Sequence, residues 1–162
     1  MHIQTFAMFT LRFFSELSTT ELYEIMVLRQ EVFIVEQNCP YLDCDGKDLL
    51  SWHLLCRNEA GELVAYCRIL PPRLAYPQYD EVSIGRVISS AKARGTGAGR
   101  AMMAYAMEVI PTLFTKKAGE PLIIRIGAQS YLLRFYGSFG FKSTGKEYLD
   151  DGIPHTEMRF EY

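Results

Sequence analysis

Three glycines at alternate positions, in Arg94-Gly95-Thr96-Gly97-Ala98-Gly99-Arg100, separate a β-branched run at 81–88 from a long apolar segment at 101–114. Glycine lets the backbone turn through conformations closed to other residues, so that consecutive N–H groups can point into one concavity. At a helix N-terminus those groups and the helix dipole together favour an anion, and a phosphate or pyrophosphate is the expected guest. The competing reading is a strand-to-helix connection that holds no ligand. Two phosphate motifs are excluded. A P-loop needs Lys and then Ser or Thr after its last glycine, whereas Gly99 is followed by Arg100 and Ala101. A dinucleotide fingerprint needs G-x-G-x-x-G, and this run has the wrong spacing and lies mid-chain, after several strands.

The surrounding elements follow from periodicity and punctuation. Residues 10–14 read as a first strand. Ser18 and Glu21 have capping-box spacing, and Leu22, Ile25, Met26, Arg29 and Val32-Phe33 recur at helical intervals, which predicts a helix over 19–33. Asn38-Cys39-Pro40 and Asp43-Cys44-Asp45-Gly46 then break regular structure and form an acidic loop. Segments 52–57 and 63–70 flank a short polar turn and read as a hairpin. The segment at 101–114, with Pro111 near its end, is apolar on most of its circumference and reads as a buried helix. Residues 122–126 have the continuous apolar pattern of a central strand. A short helix over 129–136 and two strands, 143–149 and 155–160, joined by the turn Asp150-Asp151-Gly152-Ile153-Pro154, complete the chain. The order β-α-β-β-β-α-β-α-β-β describes an α/β fold with a mixed sheet flanked by helices. At 162 residues and 49% hydrophobic content it is one domain, 1–162, with residues 1–8 read as a frayed extension.

Several function classes are excluded by charge and composition. A formal net charge of −2 gives no electrostatic footprint for nucleic acid. No apolar run approaches the ~20 residues of a membrane span, and the start lacks a basic secretory n-region, so no membrane partner and a cytoplasmic location are expected. Cys39, Cys44, Cys56 and Cys67 match neither a zinc site nor a disulfide framework and read as reduced, partly buried thiols, with no metal expected.

The run from Arg94 to Gly99, Arg-x-x-Gly-x-Gly, resembles the acetyl-CoA signature of the GNAT superfamily of N-acetyltransferases. A second motif of that family has Asn seven residues before Tyr, followed by Gly-Phe. Here Gln129 stands seven before Tyr136, with Gly140-Phe141 after it, the amide of Gln replacing that of Asn. The stretches from Leu28 to Tyr41, Asp43 to Gly46 and Asp150 to His155 look like the ElaA-type branch. The resemblance covers the chain from about residue 10 onward.

The resemblance implies a GNAT fold in which the strands containing Glu81–Ser89 and Leu122–Ile126 splay apart and admit the pantetheine arm of acetyl-CoA. Backbone groups of Val87, Ile88 and Ser89 would pair with that arm, and the N–H of Ile88 would polarise the thioester. Gly95, Thr96, Gly97, Ala98, Gly99 and Arg100 would hold the pyrophosphate, with Arg94 or Arg100 adding charge and Gln129 lying near the cofactor. Tyr136 occupies the family position of the general acid; without the resemblance it reads as a packed aromatic. Glu81 is the first candidate for the general base, with His53, His155 and a water relay open beside it. Glu36, Asp43, Asp45, Asp150 and Asp151 read either as an attraction for a cationic amine or as solvated loop charges. Trp52, Tyr41 and Tyr66 read either as an acceptor pocket or as packing. The expected function is transfer of acetyl from acetyl-CoA to a primary amine in a ternary complex. A longer acyl-CoA donor and a non-catalytic CoA-binding sensor are the alternatives. A homodimer is expected only from general frequency.

Overall fold

A computed structural model describes residues 8–162. The reading of a frayed start falls largely on residues 1–7, outside the described residues; Met8 already belongs to the first strand. The elements are β1 Met8–Phe13, α1 Thr19–Arg29, β2 Trp52–Arg57, β3 Leu63–Leu70, β4 Ser83–Ser89, α2 Ala98–Leu113, β5 Ile123–Gln129, α3 Leu133–Gly137, β6 Lys142–Asp150 and β7 Ile153–Glu161. The capping box forms as expected: Glu21 N–H donates to Ser18 Oγ at 3.0 Å and Ser18 N–H to Glu21 Oε2 at 2.9 Å. Beyond Arg29 the helix continues as a π-helical stretch, Gln30–Glu36, longer than the expected end at Phe33. Wider turns of this kind are uncommon and concentrate at functional sites.

Strands β1-β2-β3-β4 form one antiparallel sheet and β5-β7-β6 another. A single parallel bridge between Val82 and Ile124 joins them: Val82 N–H donates to Ile123 O at 3.0 Å, and Arg125 N–H to Val82 O at 2.8 Å. Past that bridge no ladder links β4 to β5 among the described residues, and the two strands diverge. This is the mixed, splayed architecture expected.

Both faces of β2 and β3 are covered, which explains their unbroken apolar sequences. On one face Leu54, Cys56, Cys67 and Ile69 pack with Met102, Met103, Ala106 and Ile110 of α2. On the other, Leu55 and Tyr66 pack with Ile25, Leu28 and Val32. Neighbouring residues such as Leu54 and Leu55 thus serve opposite layers, as the period of a strand requires. Pro111 sits inside α2 and cannot donate to Met107 O; the Tyr162 hydroxyl donates to that carbonyl at 2.5 Å. No helix among the described residues is long and apolar enough to cross a membrane.

Candidate active site

The divergence of β4 from β5 opens a cleft of about 850 Å³. Every residue of β4 lines it, with Gly127 and Gln129 of β5, Phe135 and Tyr136 of α3, and Val32, Phe33 and Glu36 of the helix that follows β1. The candidate residues Val87, Ile88, Ser89, Arg94, Gly99, Gln129 and Tyr136 therefore meet in one cavity.

The glycine loop lies at the C-terminal end of β4. Gly95 and Gly97 have φ of +78° and +88°, backbone that side-chain-bearing residues adopt only with strain. Thr96 Oγ1 donates to Ala93 O at 2.6 Å and accepts from Ala98 N–H at 3.3 Å, which fixes the curl. Gly97 caps α2 without a side-chain hydrogen bond, so the first N–H groups of that helix, Gly99 and Arg100 included, carry the usual deficit of a helix start. A Cβ on Gly99 would stand 2.7 Å from Ser89 Oγ; glycine there lets α2 begin against the end of β4.

The two arginines of the loop differ. One Arg94 nitrogen bonds Glu36 Oε2 at 2.5 Å and Ser89 O at 3.3 Å, at the cleft wall. The Arg100 guanidinium instead stacks over Phe135 and Phe139, 5.8 and 5.2 Å from their centroids. Gln129 Nε2 donates to Gln37 Oε1 at 3.5 Å, at the limit of a bond. Tyr136 is buried and packs edge-on against Phe135 and Phe141. Burial pushes its hydroxyl far above the ordinary phenol range, so it is protonated at neutral pH.

Two base candidates lie elsewhere. The Glu81 carboxylate is held by Arg125 at 2.5 Å and Arg159 at 3.2 Å, beside the Val82–Ile124 bridge and outside the cleft lining, so the expectation of a base at Glu81 finds no geometric support. His53 is fully buried: its Nε2–H donates to Asp48 O at 3.0 Å and its Nδ1 accepts from the Tyr66 hydroxyl at 2.7 Å. Both nitrogens are committed, and burial lowers its pKa. His155 is different. It lines the cleft, half-buried, with Nδ1 2.8 Å from Ile153 O.

The acidic loop serves another purpose than either expectation. Asp43 bonds Arg29 at 2.7 Å and Arg86 at 2.7 Å; Asp48 bonds Arg29 at 2.7 Å and Arg68 at 2.9 Å; Asp45 bonds Arg68 at 2.5 Å. Three carboxylates and three guanidinium groups neutralise one another, so Asp43, which is buried, and Asp45, at the exposed edge of the cluster, are both ion-paired rather than free to draw in an amine. The neighbouring arginines hold Asp45 and Asp48 below the usual carboxylate range despite the partial desolvation of both. Asp150 and Asp151 remain exposed at the cleft. Of the three aromatics considered, Tyr41 lines the cleft, Trp52 packs on Phe13, and Tyr66 is wholly buried.

Tyr76 and Tyr148 also line the cleft and were not anticipated. The available signal was Gly127 inside an apolar strand, since such a glycine marks close approach of another group. A Cβ there would collide with the Tyr148 hydroxyl. All four cysteines are free, and Cys44 alone is exposed. Among the described residues no group of His, Cys, Asp and Glu is arranged to hold a metal ion.

Residues 51–162 match the model of an acetyltransferase (GNAT) domain. Protein ElaA of Escherichia coli is 43% identical over 150 residues, 91% of this chain and 92% of that protein. Its crystal structure superposes with a TM-score of 0.82 and 39% identity over 95% of this chain and 99% of that one. The structure of an acyl-CoA N-acyltransferase from Pseudomonas aeruginosa gives a TM-score of 0.83 and 38% identity, covering 94% and 98% of the two chains. The yncA structure from Salmonella typhimurium, described as a putative acetyltransferase with its cofactor acetyl-CoA, shares the fold at a TM-score of 0.66 and 16% identity over 94% of this chain and 93% of that one.

Proposed function

The chain belongs to the GNAT acetyltransferase family, in its ElaA-like branch, and from that membership we propose that it transfers the acetyl group of acetyl-CoA to a primary amine, both substrates being held together in the cleft. The observation that carries this reading is the cleft itself: an edge of β4 left without a strand partner past Val82, ending in a glycine loop at the start of α2. The residues present fit an acyl-CoA. The open edge offers backbone donors and acceptors to the pantetheine amides, as a ligand adding a strand requires. The loop offers N–H groups and a helix dipole to the pyrophosphate, in a space that a Cβ on Gly99 would narrow. Arg94 stands at the same wall, where it would add charge to the pyrophosphate on exchanging Glu36 for it. The shared fold of yncA, whose structure contains acetyl-CoA, supports the same donor.

Acetyl-CoA supplies an activated thioester; the chain supplies position and protons. Ser90 N–H donates to Val64 O at 2.8 Å and Ile88 pairs with Tyr66 in the same register, so the Ile88 N–H, expected at the thioester, faces β3 instead. The alternate N–H groups, those of Val87 and Ser89, face the open edge and are assigned to the arm and the thioester oxygen. Tyr136, kept protonated by burial, is assigned to the departing sulfur, which must take up a proton to leave as a thiol. Gln129 orients groups beside it.

Thermal unfolding with and without acetyl-CoA tests the donor. At about 100 times its Kd the ligand should stabilise the chain by roughly 2.7 kcal/mol, with CoA acting likewise and ATP and NAD giving no shift. Tyr136→Phe should keep that shift while kcat falls about 100-fold. Absence of any acetyl-CoA shift would sink the reading, and a shift with no turnover of any amine would favour a CoA-binding sensor.

A further inference from the structure

We propose that His155 is the group that takes the proton from the acceptor amine, an assignment that rests on the acetyltransferase reading and goes beyond it. Ile153 O is a pure acceptor, so the ring nitrogen 2.8 Å from it, Nδ1, carries the hydrogen. In the neutral imidazole the lone pair then sits on Nε2, the nitrogen with no partner among the described residues. The ring is held flat against Tyr148, with centroids 5.5 Å apart and planes 20° from parallel. His155 also stands opposite Gln129 in the β5–β7 register and opposite Tyr148 in the β6–β7 register. It is thereby tied to the strand that forms one side of the cleft.

The other cleft-lining groups are less suited to accept a proton. Glu36 is bound by Arg94, and Asp45 by Arg68. Tyr41, Tyr76 and Tyr148 all have hydroxyls raised by burial, so they hold their protons. Asp150 and Asp151 lie exposed at the tip of the β6–β7 hairpin. Glu157, two residues along β7, is occupied by Arg125.

The proton balance is complete. An ammonium group loses two protons in becoming an amide. His155 Nε2 takes one and passes it to solvent. The amine nitrogen forms its bond to the acetyl carbon as the carbon–sulfur bond breaks, and the second proton is matched by the one Tyr136 gives to sulfur. Tyr136 is restored through solvent, so the reaction releases one proton overall.

Two measurements on the full chain decide the matter. Nitrogen-15 NMR of labelled histidines, with His155→Gln assigning the signal, reads the tautomer: the Nδ1–H form is expected, and the Nε2–H form overturns the proposal. Kinetics use tyramine and spermidine as aromatic and polycationic primary amines. His155→Gln should lower kcat/KM about 100-fold at neutral pH and remove the acidic limb of the pH profile, while the acetyl-CoA thermal shift persists. His155→Ala should regain rate when imidazole is added. A variant that keeps the wild-type rate and pH profile, or one that binds acetyl-CoA but is not rescued, assigns the ring a packing role and overturns the proposal. If neither amine is acetylated, the tautomer decides alone. If the unsubstituted chain shows no acetyl-CoA shift, the failure belongs to the acetyltransferase reading, and the assignment of His155 falls with it.

Discussion

Arg29 carries a charge to a point where none of its side chain meets solvent, and that is tolerable only because Asp43 and Asp48 meet it there. Asp48 is the shared member: one carboxylate oxygen accepts from both Arg29 and Arg68, and its backbone carbonyl accepts from His53. Asp48→Asn keeps the shape but leaves the two guanidinium groups short of a counter-charge. We expect a loss of about 3–5 kcal/mol in urea unfolding, the usual cost of breaking a buried pair from one side. Glu24→Gln, which removes a half-exposed partner of Arg57, should cost at most about 1 kcal/mol. Equal losses at the two positions would show that the buried cluster is not the stronger determinant. The sequence placed Arg29 on an apolar helical stripe, which hints at burial. It gave no means of choosing its partners, since Asp43 and Asp48 lie 14 and 19 residues away across an irregular loop.

At the scale of elements, the junction of β4 and α2 depends on two different uses of glycine. Gly97 needs its positive φ, whereas Gly99 needs the absence of a side chain. Gly97→Ala should therefore destabilise the chain by about 1–2 kcal/mol through left-handed strain and weaken acetyl-CoA binding through a displaced loop. Urea unfolding and calorimetric titration check the two effects, and unchanged values of both would mean the loop tolerates another curl. This junction was legible because all its determinants are local: a β-branched run, alternate glycines, then an apolar helix. The capping box and the hairpin of β2 and β3 were legible for the same reason. The splay was not, because parting β4 from β5 leaves no local mark in either strand, and it was reached through the family resemblance. The π-helical stretch was also hidden, since Val32 and Phe33 fit an ordinary helical spacing as well. Glu81 shows the same limit at the site: its position near the start of a strand was visible, and its capture by Arg125 and Arg159 was not.

Across the whole molecule, the buried titratable groups set a window of pH in which the fold is most stable. On the acid side, burial lowers the pKa of His53, so the folded chain binds this proton less readily than the unfolded one. Its contribution is complete above the unfolded value of about 6.5 and is lost as pH falls towards its folded value. Asp45 and Asp48 are lowered by their arginines, so their contribution is present above about 3.9 and is lost below it. On the alkaline side the signs reverse. Burial raises Cys67, and raises Cys56 to about 11, so stability is lost as pH climbs past the unfolded thiol value of about 8.5. Tyr66 and Tyr136 are raised too and add to the loss above about 10. A profile of Tm against pH should therefore show a plateau between roughly 6.5 and 8.5, a shallow acid decline and a steeper fall below about 4. Replacing Cys56 and Cys67 together by Ala removes the first alkaline groups while the tyrosines remain. The alkaline edge should then move from about 8.5 towards about 10, whatever the variant's lower absolute Tm. An edge that stays in place would mean the thiols do not limit the fold, and that repulsion among surface charges does.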